Sequence, residues 1–287
     1  MEAKDLLKKV RKIEIRSRGL SSQVFAGEYH SAFKGKGMAF SEVREYQYGD
    51  PIKDIDWNVT ARFSHPYVKV FEEERELTVM LLIDVSGSKA FGTSQKFKQE
   101  LSTELAAVIA FSAIQNNDKV GVILFSDKVE KFIPPKKGKK HILRIILELL
   151  DFEPESKGTD VSQALKFFTN AIKKRSTAFI ISDFMSTDFT DALKIAGNKH
   201  DLAALRVYDN FEKELPDLGL AYFKDLETGQ QKWVDTSLKN VRREYRINLQ
   251  KQYDENTNLF KKSKLDFVDI RTDQDYVKPL ITLFKNR

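Results

Sequence analysis

From Leu77 onward the chain alternates short, mostly apolar runs with longer stretches in which apolar residues recur every three to four positions. The strand candidates are Leu77–Ile83, Val120–Phe125, Val129–Ile133, Ala178–Ile181, Ala203–Val207 and Leu265–Ile270; Val120–Phe125 and Ala178–Ile181 carry no polar side chain, whereas Glu130, Lys131, Arg206, Asp266 and Asp269 interrupt others. The periodic stretches 95–115, 140–150, 161–173, 188–196, 238–262 and 276–284 predict helices. Their mostly βαβ order predicts an α/β fold with a largely parallel central sheet, helices on both faces and right-handed crossovers. Gly219–Val234, with Thr228-Gly229 at its tip, predicts a hairpin that extends or flanks the sheet edge. In the long helix after it, Val241, Tyr245, Leu249 and Tyr253 predict a core-facing stripe.

Before Leu77 the pattern changes. Leu6, Val10 and Ile13 among Lys8, Lys9, Arg11 and Lys12 predict a short basic amphipathic helix ending near Gly19, docked on the domain or lying on a membrane surface. Val24–Phe71 reads as irregular and extended, rich in Gly, aromatic and charged residues. The expected division is therefore 1–76, an N-terminal helix and extended segment packed on the sheet, and 77–287, the α/β domain.

Composition narrows the class. With 41% hydrophobic and 31% charged residues the 287-residue chain has the balance of an ordinary soluble protein, and its net charge of +6 bears mainly on solubility. There is no Cys, so no disulfide framework, and the first residues lack the apolar segment of a signal peptide. No apolar stretch approaches the ~18 residues of a membrane span, and the expected location is cytoplasmic.

The candidate chemistry sits where strands end. Asp84-Val85-Ser86-Gly87-Ser88 directly follows the first buried run, placing three oxygen-bearing side chains at alternate positions of a strand-to-loop junction. Thr159 lies just before the helix that opens at Val161, and Asp183 ends the run Ala178–Ile181. In an open parallel sheet such segments converge beyond the carboxyl ends of the strands. Hydroxyl and carboxylate oxygens suit Mg²⁺, Mn²⁺ or Ca²⁺, whereas four scattered His (His30, His65, His141, His200) and no Cys argue against zinc. Taken singly, Ser86, Ser88, Asp160 and Asp183 are also ordinary cap and turn residues.

This constellation resembles the metal-ion-dependent adhesion site of von Willebrand factor A domains. The resemblance implies that Ser86, Ser88 and Thr159 ligate the ion by their hydroxyls, that Asp84 and Asp183 act directly or through water, and that a sixth position accepts a partner's carboxylate. Lys89, Gly158 and Asp160 would border that incoming group. A second resemblance is carried by Arg44-Glu45-Tyr46-Gln47-Tyr48-Gly49-Asp50, Asp54-Ile55-Asp56-Trp57, Ala61-Arg62, Val68-Lys69 and Phe71-Glu72-Glu73-Glu74-Arg75, and continues through the metal motifs to Val120–Ser126 and Pro134-Pro135. These look like the signature of the bacterial domain-of-unknown-function-58 family. One departure is Lys53-Asp54, where family members often carry two basic residues. The family resemblance implies an adaptor acting beside a MoxR-type AAA+ ATPase in the assembly or activation of other complexes. Within the signature, Asp50, Asp56, Trp57 and Arg62 read as a structural brace: Trp57 needs a partner for its indole N–H, and Arg62 and Arg75 have Asp50, Asp56 and Glu74 as candidate carboxylates.

Enzyme readings fare less well. A phosphatase of the haloacid-dehalogenase type needs a carboxyl two residues after its first Asp, and that position is Ser86. Gly35-Lys36-Gly37 lacks P-loop spacing, and there is no Gly-x-Ser-x-Gly elbow. A polyanion or nucleic-acid contact rests on Lys136, Lys137, Lys139 and Lys140, which have no interleaved aromatics to stack bases. The expected function is thus a non-enzymatic, Mg²⁺-dependent (or Mn²⁺/Ca²⁺-dependent) protein-interaction module that captures an acidic residue of a partner. An Mg²⁺-dependent phosphohydrolase and a polyanion binder are the alternatives.

Overall fold

The computed structural model describes residues 39–72, 77–87, 98–186, 188–209, 212, 214–224 and 231–285, together with Arg11, Ile13, Glu14, Ser17, Gly19 and Leu20, which are helical. Two compact units are formed, one of Phe33–Leu77 and one of Met1–Ala32 with Thr78–Arg287. The amino-terminal stretch, expected to go with the signature segment, thus groups with the larger unit, where Glu14 pairs with Lys139 at 2.7 Å and Ser17 is buried.

The smaller unit has regular structure where the sequence pattern suggested none. Strands β1 (Ala39–Glu45) and β2 (Tyr67–Glu72) pair antiparallel, and a single 3₁₀ turn (Ile52–Asp54) and helix α1 (Trp57–Phe63) connect them. Asp56 caps α1 by accepting from the backbone N–H groups of Asn58 and Val59 (3.0 and 3.2 Å), and Ser64 ends it in the left-handed region. Asp50 closes the preceding turn by accepting from both Arg44 guanidinium nitrogens, at 2.8 Å each, and from Gln47 N–H. The brace therefore uses Arg44 and Lys69 (3.5 Å from Asp56) as its cations. Trp57 and Arg62, expected among the buried polar groups, are exposed on α1, and Arg75 and Glu74 lie outside the described residues.

In the larger unit the central sheet has the order β10-β7-β6-β3-β4-β5. Its strands are β3 (Thr78–Asp84), β4 (Lys119–Phe125), β5 (Val129–Lys136), β6 (Thr177–Ser182), β7 (Asp201–Tyr208) and β10 (Asp266–Arg271). All neighbours pair in parallel except β4 and β5. As an edge strand, β5 tolerates Pro134 and Pro135, which donate nothing to a ladder. Gly121 in β4 is required by close approach: a Cβ there would lie 2.7 Å from Met80 Sδ and 2.9 Å from the Pro135 nitrogen.

Helices α2 (Lys98–Gln115), α3 (Lys139–Asp151), α4 (Val161–Ala171), α5 (Thr190–Lys199), α6 (Lys239–Lys262) and α7 (Val277–Lys285) belong to this unit. One face of the sheet presents Met80, Leu82, Ile123, Phe125, Ile180 and Ala204 to Leu165 and Phe168 of α4, Leu193 of α5 and Phe260 of α6. Alternate residues supply the other face, where Phe179 meets Phe284 of α7 and α2 packs on β3 and β4. Burial on both faces explains the apolar runs of the inner strands β3, β4, β6 and β7.

The expected hairpin forms from β8 (Leu220–Lys224) and β9 (Gln231–Asp235), as a two-stranded sheet that does not extend the central one, and its tip lies outside the described residues. One expectation fails in detail. The stripe on α6 is core only towards its end: Tyr253 and Phe260 are buried, whereas Tyr245 is exposed and Val241 and Leu249 are half-buried. At ~1.5 Å per residue this helix is about 36 Å long, nearly twice the span of β10, so its first turns run past the sheet they were expected to cover.

Candidate metal-binding and interaction site

Strand order reverses at β3, which has β4, its successor, on one side and β6 on the other. At such a switch point the connections depart in opposite directions and leave a crevice at the carboxyl ends of the strands. Asp84 is the last residue of β3, and Asp183 follows the last residue of β6.

Hydrogen bonds tie the loops here to one another. Ser182 Oγ donates to Asp84 Oδ2 at 2.7 Å, joining the ends of β3 and β6. Gly87 N–H donates to the Lys157 carbonyl at 2.9 Å, joining the loop after β3 to the one before α4. Ser186 Oγ donates to the Thr159 carbonyl (3.2 Å) and accepts from Val161 N–H (3.3 Å), joining that loop to the one after β6. Glu130 of β5 accepts from Ser126 Oγ in the β4–β5 turn and from the N–H groups of Ser156 and Glu155, tying the α3–α4 loop to that turn. Burial pushes the Glu130 carboxyl up, but these donors outweigh it and hold the group below its ordinary value.

The side chains named from the sequence take defined places. Asp84, Ser86, Thr159 and Asp183 are all buried, and Thr159, the most accessible, is 8% exposed. Asp84 Oδ1 accepts from Ser86 N–H at 2.9 Å, fixing the turn that aims the loop. Asp183 Oδ1 accepts from Met185 N–H at 3.1 Å. Asp160 caps α4 through Gln163 N–H at 3.0 Å, the cap role its residue type suggested, and its own N–H donates to the Ser126 carbonyl. Gly158 lies against Asp127, whose Cβ is 3.5 Å from where a Gly158 Cβ would stand. Phe184 holds a left-handed φ of 58° next to Asp183, uncommon for a bulky residue, with its carbonyl accepting from Asn256 Nδ2. Ser88 and Lys89 lie outside the described residues.

Four participants were not singled out from the sequence: Ser182, Ser186, Lys98 and Glu212. Lys98, 1% exposed, places its ammonium 3.0 Å from Asp183 Oδ2 and against Glu212, whose other oxygen accepts from Asp209 N–H at 3.1 Å. Burial alone would pull Lys98 down. The two carboxylates outweigh it, and the group stays charged above the ordinary lysine value. A signal did exist, since Lys98 interrupts the stripe completed by Leu101, Ser102 and Leu105 on the buried side of α2. Glu212 carries no such signal.

The donors fit a hard cation: hydroxyl and carboxylate oxygens on three tied loops. Among the described residues no group of three or more His, Cys, Asp or Glu is placed to hold a metal ion, so any ion here would depend on the Ser and Thr hydroxyls together with the two Asp.

Comparison with known proteins agrees with the signature read from residues 44–75. The family model "protein of unknown function DUF58" matches residues 42–255. The chain belongs to this family. An uncharacterized protein of Mycobacterium tuberculosis is 30% identical to this DUF58 chain over 224 residues, 77% of the chain and 70% of the relative. Among solved structures, an aerotolerance-related membrane protein from Bacteroides fragilis shares the fold, with a TM-score of 0.50 at 16% identity over 74% of the DUF58 chain and 100% of its own. The VWA domain of SpRpn10 aligns with 74% of this chain and 95% of its own at 10% identity, with a TM-score of 0.42. No helix among the described residues of the DUF58 chain is long and apolar enough to cross a membrane.

Proposed function

We propose that this DUF58 chain is a divalent-cation-dependent protein-interaction module that works by capture and not by breaking bonds. The observation that carries the reading is the set of hydrogen bonds linking the loops of Asp84–Ser86, Thr159 and Asp183 at the switch point of the sheet. Ser86, Ser88 and Thr159 would hold the ion by their hydroxyls, with Asp84 and Asp183 fixing it directly or through water; Mg²⁺ is the expected ion, with Mn²⁺ or Ca²⁺ as substitutes. When bound, the ion supplies an electrophilic corner for a carboxylate oxygen of the partner. Burial of the donors keeps competing water away from them.

Bond breaking is disfavoured by the state of the carboxylates. Both oxygens of Asp84 and of Asp183 accept hydrogen bonds within the protein, so neither carboxylate stands ready as a general base. Following the family resemblance, the partner is a MoxR-type AAA+ ATPase presenting an acidic residue.

The test is binding of that ATPase, taken from the same organism, to the full chain in Mg²⁺ and in EDTA. Capture should require Mg²⁺ and be lost in Asp84→Ala and Thr159→Ala. Capture that is equal in EDTA, or Mg²⁺-dependent turnover of phosphate esters abolished by the same substitutions, would overturn the reading.

A further inference from the structure

We propose that Lys98 is a resident counter-cation of the metal site: its ammonium neutralises Asp183 when the divalent ion is absent and weakens the ion's binding when it arrives. The proposal rests on the metal-site reading above and adds the residue that sets its affinity.

Lys98 is 1% exposed, has a carboxylate oxygen of Asp183 at 3.0 Å and lies against Glu212. An ammonium this deep is cut off from bulk water and is tolerated because two carboxylates stand against it. Asp183 is a buried carboxylate with one oxygen accepting from Met185 N–H and the other facing the Lys98 ammonium, so the lysine helps keep the metal-free loop in register. Glu212 then matters for a second reason. It returns the charge that Lys98 adds, and the lysine and glutamate together contribute no net charge. Asp84 and Asp183 are left with two formal negative charges, which one divalent ion cancels.

The two members of the pair therefore act on the ion with opposite sign. Removing the ammonium deletes a repulsive charge beside the ligand Asp183 and releases its oxygen. Removing the Glu212 charge leaves the ammonium uncompensated and draws it more firmly to Asp183. Lysine suits this exchange, because it presents a single compact charge on a flexible stem and another cation can replace it without matching a planar fork.

The experiment is titration of the full-length, metal-stripped chain with Mn²⁺ alone, followed by electron paramagnetic resonance and calorimetry. Lys98→Met should tighten the Mn²⁺ dissociation constant by about ten-fold or more, and Glu212→Gln should loosen it by about ten-fold. A role confined to holding the fold would weaken binding in both variants, and that result would overturn the proposal. Should Lys98→Met fail to fold, the double variant Lys98→Met/Glu212→Met replaces the pair by apolar side chains of similar length, and it should bind Mn²⁺ at least as tightly as the unaltered chain. Weaker binding by the double variant would count against the proposal. Binding in the unaltered chain that is lost in Asp84→Ala, yet unchanged in every Lys98 and Glu212 variant, overturns the counter-cation role alone. Absence of saturable binding in all of them, Lys98→Met included, overturns both it and the metal site. Binding that appears only once Lys98 is removed supports both.

Discussion

Two buried cations in the larger unit do opposite things. Arg206, 2% exposed in the middle of β7, meets Asp269, its register partner on β10, through Nε and Nη2 at 2.7 and 2.9 Å. Its remaining directions go to the Tyr253 carbonyl and Thr257 Oγ1, both at 3.1 Å, and its plane lies 4.2 Å from the Tyr253 ring centroid. Four of its five N–H donors are thus engaged, and the guanidinium fastens α6 to the sheet. Lys98 instead stands at the carboxyl ends of the strands, held by charge with little directional constraint. Buried charge therefore serves as a rivet where the donor is planar and held by several directional bonds, and as an exchangeable occupant where it is compact and next to candidate ligands.

The largest effect is expected at the rivet. Arg206→Met should cost about 3–5 kcal/mol in denaturant unfolding, without regard to divalent ions. Lys98→Met should cost about 3 kcal/mol in EDTA, because it leaves two carboxylates without their cation, and most of that loss should return in millimolar Mn²⁺. Ion-independent loss in both variants would erase the contrast.

A third basic group shows what burial does when no carboxylate is supplied. His200, 1% exposed, has Ser176 Oγ at 3.0 Å from Nδ1, and its Nε2 finds no partner among the described residues. Burial first, then the charges of Lys199 and Arg175, push it down to about 4. Between the ordinary value of 6.5 and that of about 4 the unfolded chain binds a proton that the folded chain refuses, so stability falls as pH drops through this window. At pH 5 the loss is about 2 kcal/mol. His200→Gln should flatten this limb in unfolding curves measured from pH 7 to 4, whereas an unchanged slope would mean that His200 accepts its proton in the folded state.

How far the residues could be read in advance differs between regions. The four inner strands of the central sheet were legible because each is covered on both faces and so written as a mostly apolar run, and the half-buried edge strands β5 and β10 still showed as short segments rich in apolar residues. Even Val129–Lys136 was underestimated only at Pro134-Pro135, which an edge strand tolerates. The motif residues Asp84, Ser86, Thr159, Asp160 and Asp183 were legible as residue types at strand and helix ends. The small unit was not: among the described side chains of β1 and β2 only Val68 is buried, α1 leaves Trp57 and Phe63 exposed, and so weak an inside and outside leaves little period to find.

The sequence by itself determined the order of strands and helices, the both-sided burial of the sheet and the presence of oxygen donors where strands end, because each is encoded in neighbouring residues. Only the tertiary structure decided that the chain order reverses at β3, that Ser182 and Ser186 lace the loops together, and that Lys98 comes to lie between Asp183 and Glu212. Those choices depend on side chains as many as 114 positions apart in the chain. A contact across that separation is fixed by the packing of whole elements, and local periodicity carries no record of it.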